Sequence, residues 1–138
     1  MKYFTLFFVF ILSCSTKEVT ENDLYGKWVI VDYKLGFNKE IPKSESNDEL
    51  IKNLHQSFQK SIGTHMVFYK DSLFYSEQQP NHESFWILNN NKILFSNKKV
   101  PFEEIYCIDE VTFTNDTLNL NDKTQNGFIN FKLIKWPK

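Results

Sequence analysis

The sequence of 138 residues contains no arginine and no alanine, and all 16 of its basic residues are lysines. The planar guanidinium of arginine is the usual side chain for two-pronged contacts with phosphate groups and guanine. The 16 lysines face 17 acidic residues, which leaves a net charge of −1. The chain therefore lacks the electrostatic pattern of a nucleic-acid-binding protein, and no nucleic-acid partner is expected.

The motifs of common enzymes and metal sites are also absent from the sequence. It contains no Gly-x-Ser-x-Gly, no glycine-rich phosphate loop and no EF-hand loop. His55, His65 and His82 are widely separated, and none belongs to a His-x-His or His-Glu-x-x-His motif. We therefore predict that the protein is not an enzyme and has no catalytic residues, metal site or cofactor.

The beginning of the chain has the three parts of a secretory signal. Lys2 supplies a positive charge, residues 3–12 are almost entirely apolar, and Ser13 is a small residue before Cys14. The apolar run is shorter than the about 20 residues that cross a bilayer. The sequence predicts a signal peptide at residues 1–13, although Cys14 could also be an ordinary cysteine beside a cleavage site.

The residues Ile11-Leu12-Ser13-Cys14 resemble the lipobox of bacterial lipoproteins. This resemblance implies cleavage before Cys14 and acylation of its sulfur and new amino group, so that the lipid anchors the protein to a membrane. By the enterobacterial sorting rule an aspartate after the cysteine retains a lipoprotein at the inner membrane, and Thr16 is not an aspartate. The expected location is the cell outer membrane, on a face that the sequence leaves open.

The next residues are polar, and we interpret residues 14–23 as a tether without a core of its own. Residues 24–138 are predicted to form one folded domain. If Cys14 carries lipid, Cys107 has no partner in the chain and no disulfide forms. Cys107 is then expected to be a buried, inert thiol.

The folded part reads as eight short strands and one helix. Apolar residues recur at helical spacing over residues 46–62, with Ser46 and Glu49 as a predicted capping box and Gly63 as terminator. Tight turns are predicted at Lys70-Asp71, at residues 89–91 and at Asn115-Asp116. The predicted strands cover residues 24–35, 64–69, 72–77, 84–88, 92–96, 102–114, 117–121 and 127–136.

This order of elements predicts an all-β fold. Eight strands joined by hairpins are typical of a sandwich or of an eight-stranded antiparallel up-and-down barrel, which can just enclose one small ligand. Several strands are apolar on both faces, as in residues 66–69 and 85–88. The amphipathic helix after the first strand is expected to pack on the barrel, although it could also lie on a membrane.

Leu24-Tyr25-Gly26-Lys27-Trp28 at the first strand resembles the Leu-x-Gly-x-Trp motif of small lipocalin-like lipoproteins of Bacteroidetes. The hairpin at residues 68–72, the Leu-x-Leu at residues 118–120 and the final Lys135-Trp136 fit the same pattern. The resemblance covers residues 24–136 and implies a lipocalin-like barrel. Lipocalins stack an arginine of the last strand on the tryptophan, so Lys132 or Lys135 would have to take that role here.

Two groups of candidate site residues follow. Trp28 is predicted to plug the narrow end of the barrel, with its N–H donated to a carbonyl, although it could be a plain core residue. Seven aromatic residues are possible pocket lining: Phe68, Phe74, Trp86, Phe95, Tyr106, Phe113 and Phe131. The sequence leaves open which face of each strand points inward. The neighbouring carboxylates Asp109-Glu110 and Glu103-Glu104 are expected at solvated strand ends, because adjacent strand residues point to opposite faces.

The functional expectation is a membrane-anchored protein that binds a small apolar or amphipathic molecule in its barrel. The alternative is an interaction module of the cell envelope, an inhibitor or an accessory subunit, that uses its loops and has no ligand cavity. Fold alone does not decide between the two.

Overall fold

The computed structural model describes residues 18–99 and 105–137. Eight antiparallel strands form a closed barrel in which each strand pairs with its neighbours in sequence and the last strand pairs with the first. This confirms the predicted all-β up-and-down barrel. The strands are β1 (Gly26–Phe37), β2 (His65–Phe68), β3 (Leu73–Ser76), β4 (Ser84–Asn89), β5 (Lys92–Ser96), β6 (Ile105–Thr114), β7 (Thr117–Lys123) and β8 (Gly127–Lys135).

Tight turns set the register of two hairpins. Asn115 and Asp116 have φ of 48° and 62° between β6 and β7, and Asn90 and Asn91 have φ of 48° and 57° between β4 and β5. Two successive positive φ angles match the twist of a hairpin, and asparagine and aspartate adopt them more readily than most residues. These turns therefore set the pairing of β4 with β5 and of β6 with β7 through local sequence.

Two helices accompany the barrel, α1 (Glu21–Leu24) and α2 (Glu45–Gln59). The N-cap of α2 is Ser44, whose hydroxyl accepts a hydrogen bond from the backbone N–H of Asn47 at 3.2 Å. The predicted cap at Ser46 is therefore wrong by two residues, since Ser44 already satisfies the first turn. None of the described helices is long and apolar enough to cross a membrane.

The folded region begins earlier than predicted. Val19 is buried in the core, and its backbone N–H donates to Asn91 Oδ1 at 3.1 Å. Asp23 accepts hydrogen bonds from the backbone N–H and the hydroxyl of Thr20, which starts α1. The tether interpretation is therefore wrong from Val19 onward, because this segment has an apolar anchor after all. Residues 1–17, including Cys14, lie outside the described residues, as do Glu103 and Glu104.

One half of the barrel interior is filled by its own side chains. The cluster is apolar and buried, and it draws on strands around the barrel and on α1: Leu24, Trp28, Ile30, Phe68, Trp86, Ile93, Phe95, Val111, Leu118, Leu120 and Leu133. We call this half the closed end. It contains the beginning of β1 and the end of β8, which pair through Trp28 and Lys135.

Candidate functional site

Trp28 is fully buried at the closed end. Its indole N–H donates a hydrogen bond to the backbone carbonyl of Leu24 at 2.7 Å, and the edge of its ring meets the ring of Phe113 at 5.9 Å. The carbonyl partner required by the plug interpretation is thus supplied by the last residue of α1. The single indole donor is satisfied without water, as a buried tryptophan requires.

The ammonium group of Lys135 lies 5.2 Å from the centroid of the Trp28 ring. This is the place where the lipocalin resemblance calls for an arginine. A lysine over an indole face gives a cation–π contact, although it lacks the planar stacking of a guanidinium. Of the two predicted lysines, the structure therefore places Lys135 and not Lys132 on the tryptophan.

The opposite half of the barrel is open, and we call it the mouth. A cavity of about 220 Å³ lies there, which we call the mouth cavity. Its apolar wall is formed by Met66, Phe74 and Phe131, together with Phe95, which also belongs to the buried cluster of the closed end. Its polar lining consists of Ser76, Gln78, Gln79, Tyr106, Cys107, Asp109 and Asp122. The cavity thus combines an aromatic wall with acidic groups.

The structure divides the seven aromatic residues that were predicted as pocket lining. Phe74, Phe95, Tyr106 and Phe131 line the mouth cavity. Phe68 and Trp86 are buried in the core of the closed end, and Phe113 packs against Trp28. Most of the seven aromatic side chains therefore point into the barrel, but only those nearer the mouth border the cavity.

The acidic groups come from two adjacent strands. Asp109 of β6 is the cross-strand partner of Asp122 of β7, so their side chains share the inner face. Cys107, two residues before Asp109, lies on the same face because side chains alternate along a strand. One possible ligand atom from each of these three residues lies within 4.8 Å of the others. We call these three residues the acidic cluster.

The carboxyl of Asp109 is buried, and few hydrogen bonds or charges nearby offset the loss of its hydration. Only 8% of its surface is exposed, and within the described part of the chain its carboxyl receives one side-chain hydrogen bond, from Cys107 Sγ at 3.2 Å. Burial raises its pKa to about 6, and the nearby Asp122 carboxylate adds to the increase, while the thiol hydrogen bond opposes it. The expectation of a solvated Asp109 is therefore wrong.

Cys107 is half-buried and faces the mouth cavity. Burial, together with the neighbouring Asp109 carboxyl, raises the pKa of its thiol far above the usual value. A thiol that stays protonated is a poor nucleophile, so the raised pKa favours an unreactive Cys107 even though its side chain borders a cavity.

The acidic cluster was missed from sequence, although β7 carries the signal for it. Leu118 and Leu120 alternate there with the polar residues Thr117, Asn119 and Asn121. This alternation places the leucines inward, and Asp122 is in phase with them. An acidic residue in phase with the core face indicates a carboxyl inside the barrel.

The acidic cluster could hold a divalent cation through three protein ligands. The carboxylates of Asp109 and Asp122 suit hard ions, whereas the sulfur of Cys107 suits zinc and softer ions. Coordination by sulfur requires loss of the thiol proton, which the raised pKa of Cys107 disfavours. The cluster is therefore a mixed and poorly matched metal site.

Helix α2 lies beside the mouth. Its Phe58 contacts the rings of Phe131 and Tyr33 at centroid distances of 5.8 Å, and the hydroxyl of Tyr33 donates to the backbone carbonyl of His55 at 3.1 Å. A second cavity of about 240 Å³ lies between this helix and the barrel, and Asp122 borders both cavities. This contact with the barrel agrees with the predicted packing of the helix.

A larger cleft of about 280 Å³ lies at the outside of the closed end. It borders Val19, the turn at Asn90 and Asn91, and the charged residues Lys92 and Glu110. It has no aromatic wall comparable with that of the mouth cavity.

No family description, no curated protein and no solved structure matches this chain.

Proposed function

We propose that the protein is a lipocalin-like binding protein that holds a small amphipathic molecule in the mouth of its barrel. The observation that carries this proposal is the mouth cavity, with an apolar wall on one side and the acidic cluster on the other. Concave sites with a mainly apolar lining and a few convergent polar groups are the usual form of small-molecule sites.

The size of the cavity limits the ligand. An apolar protein cavity of about 150 Å³ can hold benzene, and the mouth cavity measures about 220 Å³. A molecule with one ring or a short branched chain fits this space. A longer acyl chain would have to extend through the mouth toward α2, where Asp122 links the two cavities.

Filling the cavity is expected to abolish binding. Ser76 lines the cavity at the end of β3, and its replacement Ser76→Phe places a ring in the empty space and removes only one hydroxyl from the lining, while the aromatic wall and the acidic cluster stay intact. We expect the variant to bind a fluorescent apolar dye at least about tenfold more weakly than wild type does. Thr112→Phe, on the exposed face of β6, is the matched control.

Two results would contradict the proposal. Dye binding that is equal in wild type, Ser76→Phe and Thr112→Phe would place the dye outside the barrel. Native mass spectrometry that finds no small molecule retained by the wild-type protein from envelope extracts would argue against a physiological ligand.

We further propose that the barrel is held at the cell outer membrane by lipid on Cys14. The support is the sequence of residues 11–14, with its small residue directly before the cysteine. Mass spectrometry of the mature protein is expected to find Cys14 at the N-terminus with acyl chains on its sulfur and amino group. A mature chain that starts at another residue, or an unmodified cysteine, would contradict the anchor.

An interaction module of the cell envelope is the second candidate. Large apolar side chains are exposed outside the mouth cavity, with Leu50 on α2 58% exposed and Ile105 and Ile108 on β6 44% and 48% exposed. Crosslinking in intact cells tests this candidate. A partner captured by wild type and by Ser76→Phe alike would favour it, whereas the absence of any crosslinked partner would count against it.

A further inference from the structure

The lining of the mouth cavity is acidic in addition to having an aromatic wall. Its described lining contains two carboxyls, Asp109 and Asp122, and no lysine. The lysine nearest in sequence to Asp122 is Lys123, which instead pairs with Glu110 on the outer face of the barrel. The negative groups inside the barrel therefore lack a cationic partner among the residues that the structure describes.

This arrangement is unfavourable for an empty protein. Two carboxylates directly opposite each other on neighbouring strands repel, and a buried carboxylate without a cation loses hydration that nothing replaces. Asp109 is nine-tenths buried and receives one weak hydrogen bond, from a thiol. A bound cation would remove both penalties at once.

We propose that the mouth cavity is selective for organic cations, namely amines that carry one aromatic or compact apolar group. The ammonium group lies between Asp109 and Asp122, and the apolar group packs on the wall formed by Phe74, Phe95 and Phe131. This inference rests on the function proposed above and adds the chemical class of the ligand.

Each part of such a ligand has a matching surface. Hydrogen bonds between an ammonium group and a carboxylate are among the strong ones in proteins, because both partners are charged. The aromatic rings beside the acidic cluster add attraction for a cation and contact area for an apolar group. A bare metal ion would leave that aromatic wall without a partner and would need to displace the thiol proton of Cys107.

The charged groups around Asp109 support binding at neutral pH. Asp122 faces it from β7 and Cys107 from β6, while β5 contributes Ile93 and Phe95, which carry no charge. The described lining of the mouth cavity contains no cationic side chain that would neutralise these carboxyls. The cavity is then negative when the ligand is positive.

Three probes of equal size and different charge test the inference: 2-phenylethylamine, 2-phenylethanol and phenylacetate. Their binding to the full chain in detergent is measured by equilibrium dialysis near neutral pH with a chelator present, and protein-free micelles serve as the blank. We expect the amine to bind at least about tenfold more tightly than the alcohol and the carboxylate to bind least.

Two variants locate the charge effect. Asp109→Asn is expected to remove most of the preference for the amine and to leave binding of the alcohol nearly unchanged. Glu110→Gln is the matched control, since Glu110 is the next residue on the same strand, points outward and pairs with Lys123. Circular dichroism confirms that both variants are folded, so that a lost preference is not lost structure.

The remaining outcomes separate this inference from the proposed function. Equal binding of the three probes, or tightest binding of the carboxylate, would overturn amine selectivity and leave a binding barrel. An amine preference that is absent with the chelator and appears only when zinc replaces it, or that persists in Asp109→Asn, would also overturn it. If no probe binds and the dye assay with Ser76→Phe is negative too, both proposals fail.

Discussion

Trp28→Ala is expected to lower the free energy of unfolding by about 3–5 kcal/mol, the range for removal of a large buried aromatic side chain. The indole is fully buried at the closed end, where its ring packs against Phe113 and its N–H donates to the carbonyl of Leu24. Its loss opens a cavity and leaves that buried carbonyl without a partner. Urea unfolding followed by circular dichroism measures the change.

Trp136→Ala is the control for this experiment. Trp136 is 51% exposed and contacts Lys27 and His65 at the surface, so its removal is expected to change stability by less than about 1 kcal/mol. Trp28→Phe separates the two parts of the effect, because it keeps most of the apolar ring and loses the N–H donor. Equal effects of Trp28→Ala and Trp136→Ala would show that Trp28 does not hold the closed end together.

Asp109→Asn is expected to stabilise the protein by about 2 kcal/mol at neutral pH, the opposite of the usual result in a buried position. Burial raises the pKa of Asp109 from 3.8 to about 6, which means that the folded state disfavours the ionised carboxyl. This difference corresponds to about 3 kcal/mol of stability lost when the carboxyl is ionised. Asparagine removes the charge but keeps an oxygen for the Cys107 thiol, and its buried amide offsets part of the gain.

The sign of the pH dependence follows from the raised pKa. Between about pH 4 and pH 6 the folded protein binds a proton at Asp109 more strongly than the unfolded chain does, so this contribution to stability falls as the pH rises through that window. The stability gained by Asp109→Asn should therefore be largest above pH 6 and disappear near pH 4. Thermal unfolding of both proteins across this range isolates the group, because other carboxyls, including Glu110, are common to both.

A variant that is less stable than wild type above pH 6 would contradict this account of Asp109. The expected result also links stability to function. A carboxyl that weakens the fold in the empty protein is understandable if a cationic ligand neutralises it, and saturating 2-phenylethylamine should then raise the melting temperature of wild type more than that of Asp109→Asn.

Much of the fold could be predicted from sequence because the relevant signals are local. Short runs of β-branched and aromatic residues between turn residues indicated the strands, and the positive-φ positions at Asn115 and Asp116 define a hairpin turn. The errors at Ser46 and at Val19 arose where the local signal was ambiguous or weak. Two serines could cap α2, and one valine among polar residues gave too little apolar content to predict burial before the barrel was known.

The candidate site was predictable only in part. Phe74, Phe95, Tyr106 and Phe131 were among the aromatic residues predicted as possible pocket lining, with the inward face left open, and Asp109 was assigned to solvent. Strand β6 is apolar on both faces around Cys107, with Tyr106 and Ile108 on either side, so its own sequence does not show which face is inward. That decision comes from pairing with β7, where the alternation is clear.

The sequence by itself determined the number and order of strands, the helix after the first strand and a tryptophan suited to close one end, because turn residues and side-chain alternation act within a few residues. Only the tertiary structure decided that β8 returns to β1, that the core fills one half of the barrel, and that Asp109 faces Asp122 beside an aromatic wall. Barrel closure and cavity volume depend on how strands distant in sequence pack against one another, and this packing fixes which polar groups lose contact with water.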